Sequence, residues 1–328
     1  MRSKALVWTF GIILLTSITI FAGLDTIVMV MIAIEPSHLI VFLLAMCALQ
    51  FYTVSLTARQ WHILLRRDVP SIRFRDVLRI HLAGSFVEGV TPSSKFGGEA
   101  VKVYLFRQHT GMEYGRLASF MIAHKYLSLL PFMALCLLFL IAALGTYEVP
   151  TVVHISFLGL ALLMSALILI IHRSGGCGPE SGSFPRLRSG LAFLRRAGED
   201  VKDLIDSRDR NVILSYSIII WVLYPVKIWA TAAVLGLDVS FGLAVLAVFA
   251  AYLVSMLPLT PGGLGTFEGT MALVLTANGL LLPEAVAIAL TARLITFWFP
   301  LIWSAVAALQ LVRAGELSRD LAAVHSTE

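Results

Sequence analysis

An all-α, polytopic membrane protein is the fold class that the sequence predicts, and three observations predict it. Hydrophobic residues make up 58% of the 328 positions and charged residues only 14%, a balance that one soluble core of this size cannot hide. Apolar runs long enough to cross about 30 Å of hydrocarbon, roughly 20 residues each, recur along almost the whole chain. Two further apolar stretches are interrupted near their midpoints by Pro and Gly, which removes helical hydrogen bonds and permits irregular backbone. The expected architecture is about six full transmembrane helices plus two broken or re-entrant helical hairpins.

The first crossing is expected at residues 5–24, where Arg2 and Lys4 precede a long apolar run. It lacks a clear small-x-small cleavage site, so it reads as a retained span rather than a secretory signal. The second crossing falls at 38–56, and the first broken stretch, 76–107, follows it. Crossings at 117–144, 152–171 and 212–235 come next, then the second broken stretch at 241–280 and a last crossing at 283–312. The second broken stretch reads as a helical hairpin, with two short full crossings around a tight turn as the alternative. Between 187 and 205, Leu187, Leu191, Leu194, Val201 and Leu204 recur at near-helical spacing among charged neighbours, as in a helix lying at the interface or in a solvated linker.

Basic residues orient the chain. Arg59, Arg66, Arg67, Arg73, Arg75 and Arg79 cluster after the second crossing, and the 173–211 loop carries Arg173, Arg186, Arg188, Arg195, Arg196, Lys202, Arg208 and Arg210. The opposite loops hold Asp25, Glu35, Glu148 and Asp238 without Lys or Arg. The positive-inside rule therefore predicts a cell-membrane protein with both termini cytoplasmic. The same placement explains the net charge of +5 and argues against nucleic acid as a partner. Cys47 and Cys136 lie in apolar runs and Cys177 in a basic loop, with no CxxC or Cys/His spacing, so disulfide and zinc readings lack support. No cofactor or metal is expected.

Within this topology the units 38–144 and 212–312 each read as span, hairpin, span, entered from opposite sides. That is the arrangement of an inverted repeat, with a substrate site near the midplane where the broken segments meet. The breaks echo each other: Thr91-Pro92-Ser93-Ser94-Lys95-Phe96-Gly97-Gly98-Glu99 and Thr260-Pro261-Gly262-Gly263-Leu264-Gly265-Thr266-Phe267-Glu268. Both contain Thr-Pro, a Gly-Gly pair and a Glu eight residues after the Thr.

Ionisable residues in hydrocarbon normally face a cavity or a partner. The first broken stretch holds Glu88, Lys95, Glu99 and Lys102, with His124 and Lys125 in the next span; Glu268 follows the second break, between Lys227 and Arg293. Glu99 and Lys102, three apart, share a helical face. The bland reading of each is a buried ion pair that fixes helix packing. The functional reading is a site built from Lys95, Gly97, Gly98, Glu99, Lys102, Lys125, Pro261, Gly262, Gly263, Gly265, Glu268 and Arg293. The glycines would free the backbone, the helix after each break would aim its N-terminus at an anion, and the cations would meet phosphate. The run at 260–265 lacks the Gly-Lys-Ser/Thr ending of a P-loop, and no G-x-S-x-G or HExxH motif occurs, so neither nucleotide binding nor a hydrolytic catalytic residue is expected.

At these motifs the chain resembles the flippase-like membrane family that includes the transmembrane half of lysylphosphatidylglycerol synthase/flippase, the multiple peptide resistance factor, and stand-alone proteins. The resemblance lies in Gly97-Gly98-Glu99-Ala100-Val101-Lys102, in Pro261-Gly262-Gly263-Leu264-Gly265-Thr266-Phe267-Glu268, and in Arg293-Leu294 with Phe297-Trp298. Lys102 and Lys125 depart from it, standing where many relatives are expected to carry arginine, whose phosphate geometry differs. The resemblance implies a lipid-like substrate and importance of the Glu99 and Glu268 regions with Arg293. No soluble aminoacyl-transfer domain is present up to Glu328, so synthesis of lysylphosphatidylglycerol by this chain alone is not expected.

The resulting expectation is a lipid transporter or flippase, with anionic or lipid-linked lipids as partners and Glu99 or Glu268 as candidate proton carriers. The alternatives are a membrane-embedded enzyme or enzyme subunit acting on a lipid-linked substrate, and a non-catalytic scaffold. A partner enzyme and a homo-oligomer both stay open.

Overall fold

The computed structural model describes residues 2–32, 35–91, 96–143, 145–173, 205–257 and 260–313. Among these residues every regular element is helical. The order is α1 (Arg2–Phe21), α2 (Leu24–Ile32), α3 (Pro36–Leu65), α4 (Phe74–Val90), α5 (Phe96–Thr110), α6 (Tyr114–Ala143) and α7 (Thr151–Arg173). It continues with α8 (Ser207–Val234), α9 (Phe241–Ser255), a 3-10 turn (Pro261–Gly263), α10 (Thr266–Ala277) and α11 (Leu282–Arg293). A π-helical turn (Leu294–Trp298) then leads into α12 (Phe299–Arg313). The candidate interfacial helix at 187–205 lies outside the described residues except for its last position, and Cys177 and Lys95 also lie outside them.

Among the described residues, four helices are long and apolar enough to cross a membrane: α3, α6, α8 and the run Leu282–Arg313 formed by α11, the π turn and α12. These match the crossings expected at 38–56, 117–144, 212–235 and 283–312. The run expected at 5–24 ends as a helix at Phe21, and α2 follows after a turn at Gly23. The last expected crossing is not a uniform α-helix, because its middle is wound as a π turn.

Hydrocarbon explains the local choices. No water satisfies backbone groups there, so helices that close their own hydrogen bonds are favoured. Hydroxyl side chains follow the same rule: Thr53, Thr231, Thr270 and Thr296 each donate to the carbonyl four residues back. Large apolar side chains such as Leu44, Ile155, Leu158, Ile302 and Leu309 point outward, the inverse of a soluble surface and the expected lipid-facing arrangement.

Two buried clusters hold the helices together. In one, Phe132 of α6 packs on Trp221 of α8 with ring centroids 4.3 Å apart, and Trp221 Nε1 donates to the Ser128 carbonyl at 3.0 Å. Around them lie the alanine-rich faces of α9 and α11, including Ala247, Ala251, Ala285 and Ala289, small residues that let helices approach closely. In the other, Trp61, Phe106, Phe120 and Ile213 join α3, α5, α6 and α8. Gln60 reinforces this seam by donating to the Ile213 carbonyl at 3.0 Å and to Ser217 Oγ at 2.8 Å. Arg66 pairs with Asp209 at 3.4 Å, so the basic end of α3 and the basic start of α8 lie together.

Both broken stretches fold as helical hairpins: α4 lies along α5, and α9 lies along α10. The second break touches α4, and α4 packs along α12, so the two hairpins meet. With 15 and 12 residues in α9 and α10, these arms reach roughly 23 and 18 Å at 1.5 Å per residue, short of the approximately 30 Å hydrocarbon layer.

Glycine sets the close crossing of α4 and α5. A Cβ on Gly98 would lie 2.6 Å from Glu88 Cβ and 2.5 Å from the Gly84 carbonyl oxygen. Gly98→Ala is therefore expected to destabilise the protein by about 1–3 kcal/mol through overpacking. Thermal unfolding in detergent checks this, with Gly115→Ala as the control, since a Cβ at Gly115 meets nothing within 4 Å.

Candidate functional site

A cavity of about 320 Å³ opens where the hairpins meet. Glu88, Thr91, Glu99 and Lys102 line it from the first hairpin, and Thr260, Gly262 and Gly263 from the second break. His124 and Lys125 of α6, Gln50 and Thr53 of α3, Tyr224 of α8, and Arg293 and Phe297 close the walls. In a chain otherwise so apolar, the buried Glu99, Lys102, His124 and Arg293 all line this cavity.

One wall is an ion cluster centred on Glu99. Its Oε1 accepts from Lys102 Nζ at 3.0 Å and lies 2.8 Å from Lys125 Nζ. Lys102 also lies 3.8 Å from Glu88 Oε2. Two lysines on one carboxylate oxygen leave the other, Oε2, buried and without a hydrogen-bond partner. Beside it, His124 Nε2 stands 3.1 Å from Gln60 Oε1. The Gln60 amide nitrogen is committed to the Ile213 carbonyl, which only accepts, so Gln60 Oε1 is the acceptor and His124 Nε2 the donor. A neutral His124 ring then keeps its lone pair on Nδ1, which is buried and unpartnered, as is His81 Nδ1.

The opposite wall is built on Arg293, the last residue of α11. Its Nε donates to Glu268 Oε1 at 2.8 Å, and its NH2 group donates to the Gly262 carbonyl. The guanidinium carbon lies 4.7 Å from the centroid of Phe267 and 4.6 Å from that of Phe297, within cation–π range. Glu268 Oε2 accepts the Gly265 N–H at 2.7 Å, the reach-back of a capping residue at the start of α10. Glu268 thus commits both oxygens to holding Arg293 and the break. Gly262 has φ +58°, and a Cβ there would run into the Phe297 ring, so the tight fit against Arg293 depends on glycine.

Of the residues singled out in the sequence, Glu99, Lys102, Lys125, Gly262, Gly263 and Arg293 come together around the cavity. Glu268 and Gly265 stand behind Arg293, Pro261 opens the 3-10 turn, Gly98 sits at the α4–α5 crossing, and Gly97 is half-buried. At the start of α10 the Gly265 amide is taken by the chain's own Glu268 carboxylate rather than left for a ligand. The site also includes residues that sequence reasoning passed over: Gln50 and Thr53 of α3, and Tyr224 and Tyr252 of α8 and α9. Their signal was polar groups inside apolar spans. Lys227 was noted in the sequence as a packing ion-pair candidate, but the structure pairs it with Gln50 and Thr53, not with an acid.

Comparison with known proteins places the chain in a family. A UPF0104 membrane protein of Methanothermobacter thermautotrophicus is 23% identical over 282 residues, covering 79% of this chain and 82% of that protein. A UPF0104 membrane protein of Methanocaldococcus jannaschii is 24% identical over 320 residues, covering 90% of this chain and 91% of the relative. One from Pyrococcus horikoshii is 23% identical over 318 residues, covering 90% and 94%. The family description of the lysylphosphatidylglycerol synthase TM region matches residues 8–304. With the broken hairpins and the charged cavity inside that span, the chain belongs to the lysylphosphatidylglycerol synthase transmembrane-region family.

Proposed function

We propose that this protein moves a lipid between leaflets, holding the polar head group in the cavity between the two hairpins while the acyl tails stay in hydrocarbon. The observation that carries this reading is a single cavity lined by both broken segments and by buried ionisable side chains. Burying charge in a membrane is costly unless it serves a partner or a pathway. In this reading the short arms of both hairpins are re-entrant, and 38–144 and 212–312 are inverted units that rock against each other. The basic ends of α3 and α8 face the cytoplasm, as do both termini. The ligand-contacting set is Glu99, Lys102, Lys125, Gly262, Gly263 and Arg293, with Glu268, Gly265, Pro261 and Gly98 as positioning residues; Lys95 joins them as a sequence-based candidate. Glu99, with one oxygen left without a partner, is better placed to meet a ligand than Glu268, whose oxygens are both bound.

Leaflet exchange in proteoliposomes tests the proposal. The native chain is expected to accelerate exchange of at least one phospholipid or lipid-linked sugar at least tenfold over protein-free vesicles, and folded Glu99→Gln and Arg293→Lys variants are expected to lose most of that acceleration. Exchange that survives both substitutions would sink the reading. One observation favours a second reading, an enzyme acting on a lipid-linked substrate: two imidazoles, His81 and His124, line the cavity with an unpartnered nitrogen each. Chemical turnover of a labelled lipid by the purified protein would establish that reading instead.

A further inference from the structure

Lys227 is left out of the paired clusters around the cavity. Its side chain, in the middle of α8, is 0% exposed. Its Nζ donates to Gln50 Oε1 at 2.6 Å and to Thr53 Oγ1 at 2.8 Å, and lies 4.6 Å from the Tyr224 ring centroid. Among the described residues no carboxylate stands within ion-pair distance of it. Gln50, Thr53 and Tyr224 all line the cavity, so one layer of neutral side chains separates the ammonium group from the space where a ligand would sit.

Among the described residues the remaining charges around the cavity cancel. Lys102 and Lys125 share Glu99, Glu88 adjoins Lys102, and Arg293 is held by Glu268. Against those three cations and three carboxylates, Lys227, when protonated, adds one positive charge among the described residues. Oxygen dipoles from Gln50 and Thr53 solvate an ammonium group but do not neutralise it, and an unpaired charge in a low-dielectric interior is costly. Methionine or leucine would fill the same space without that cost. An anion in the cavity would remove the imbalance, and across one layer of buried side chains the attraction is screened less than between charges in bulk water.

We infer that Lys227 is the anion-sensing residue of the cavity, and that it selects a head group carrying one negative charge, such as a phosphodiester, over neutral head groups and over the more highly charged phosphomonoester. This rests on the lipid-transport reading above. Of the cations predicted from the sequence to meet phosphate, the described ones, Lys102, Lys125 and Arg293, already face carboxylates, so among the described residues the discriminating charge comes from the α3–α8 wall instead.

The test compares the full chain with Lys227→Met in phosphatidylcholine vesicles. The probes are acyl-labelled phosphatidylglycerol (a phosphodiester), phosphatidic acid (a phosphomonoester) and a neutral diacylglycerol glucoside. The native chain is expected to exchange phosphatidylglycerol at least tenfold faster than either other probe. Lys227→Met, with a thermal midpoint in detergent equal to or above the native one, is expected to lose that preference. A folded Lys227→Met that keeps the preference overturns the inference, as does a native chain that favours phosphatidic acid or the glucoside. A second readout is the rise in thermal midpoint on adding dioctanoyl phosphatidylglycerol in detergent, expected for the native chain and absent in Lys227→Met. If no probe crosses the bilayer, the transport reading fails and this shift alone decides the anion site: equal shifts, or none in the native chain, overturn it. If Lys227→Met does not fold, Lys227→Gln takes its place in both assays.

Discussion

Arg293→Ala is expected to lower stability by about 3–5 kcal/mol, the cost of removing one partner from a buried ion pair. The physical reason lies in what is left behind. Glu268 is 1% exposed, and its Oε1 would lose the Nε–H that neutralises it. The Gly262 carbonyl would lose its donor, and the space between Phe267 and Phe297 would empty. Thermal or denaturant unfolding in detergent reads the loss. A double-mutant cycle separates the pair from the packing: Arg293→Met combined with Glu268→Gln should cost less than the two single changes added together, with a coupling of about 1–3 kcal/mol. Additive costs would mean that the two side chains act independently, contrary to the 2.8 Å contact.

Glu99→Gln is the second large effect, and it differs in kind because the site it disrupts faces the cavity. The substitution leaves Lys102 and Lys125 around a neutral amide. Lys102 keeps Glu88 at 3.8 Å, and the Lys125 side chain is 36% exposed, so solvent screens part of the change. The stability cost is therefore expected at or below the lower end of the roughly 3–5 kcal/mol range for a broken buried pair. Leaflet exchange is expected to fall further than stability does, because Glu99 Oε2 is the unpartnered carboxylate oxygen of that wall. A folded Glu99→Gln protein with native exchange would remove Glu99 from the transport path and leave it a packing residue.

The sequence by itself determined the class of the molecule and the places where its helices break. Apolar length needs no tertiary context, because a helix that must bury its backbone in hydrocarbon is specified by composition alone. The α4–α5 and α9–α10 hairpins were legible for the same reason, since Pro and Gly act locally. The Glu99–Lys102 pair was legible too, as residues three apart on one helix always share a face. The π turn at 294–298 was not, because Leu-Ile-Thr-Phe-Trp carries no local signal for an extra residue in the winding. Nor was the division of labour between the two glutamates, which occupy matching places in the two motifs. Glu99 meets two lysines and keeps an oxygen free, whereas Glu268 spends both oxygens on Arg293 and Gly265. Lys227 shows the limit most plainly: whether an embedded lysine finds a carboxylate depends on how α8 is rotated against α3. Helix rotation and crossing are settled by packing between segments distant in sequence, and the tertiary structure set Lys227 against Gln50 and Thr53 instead of an acid.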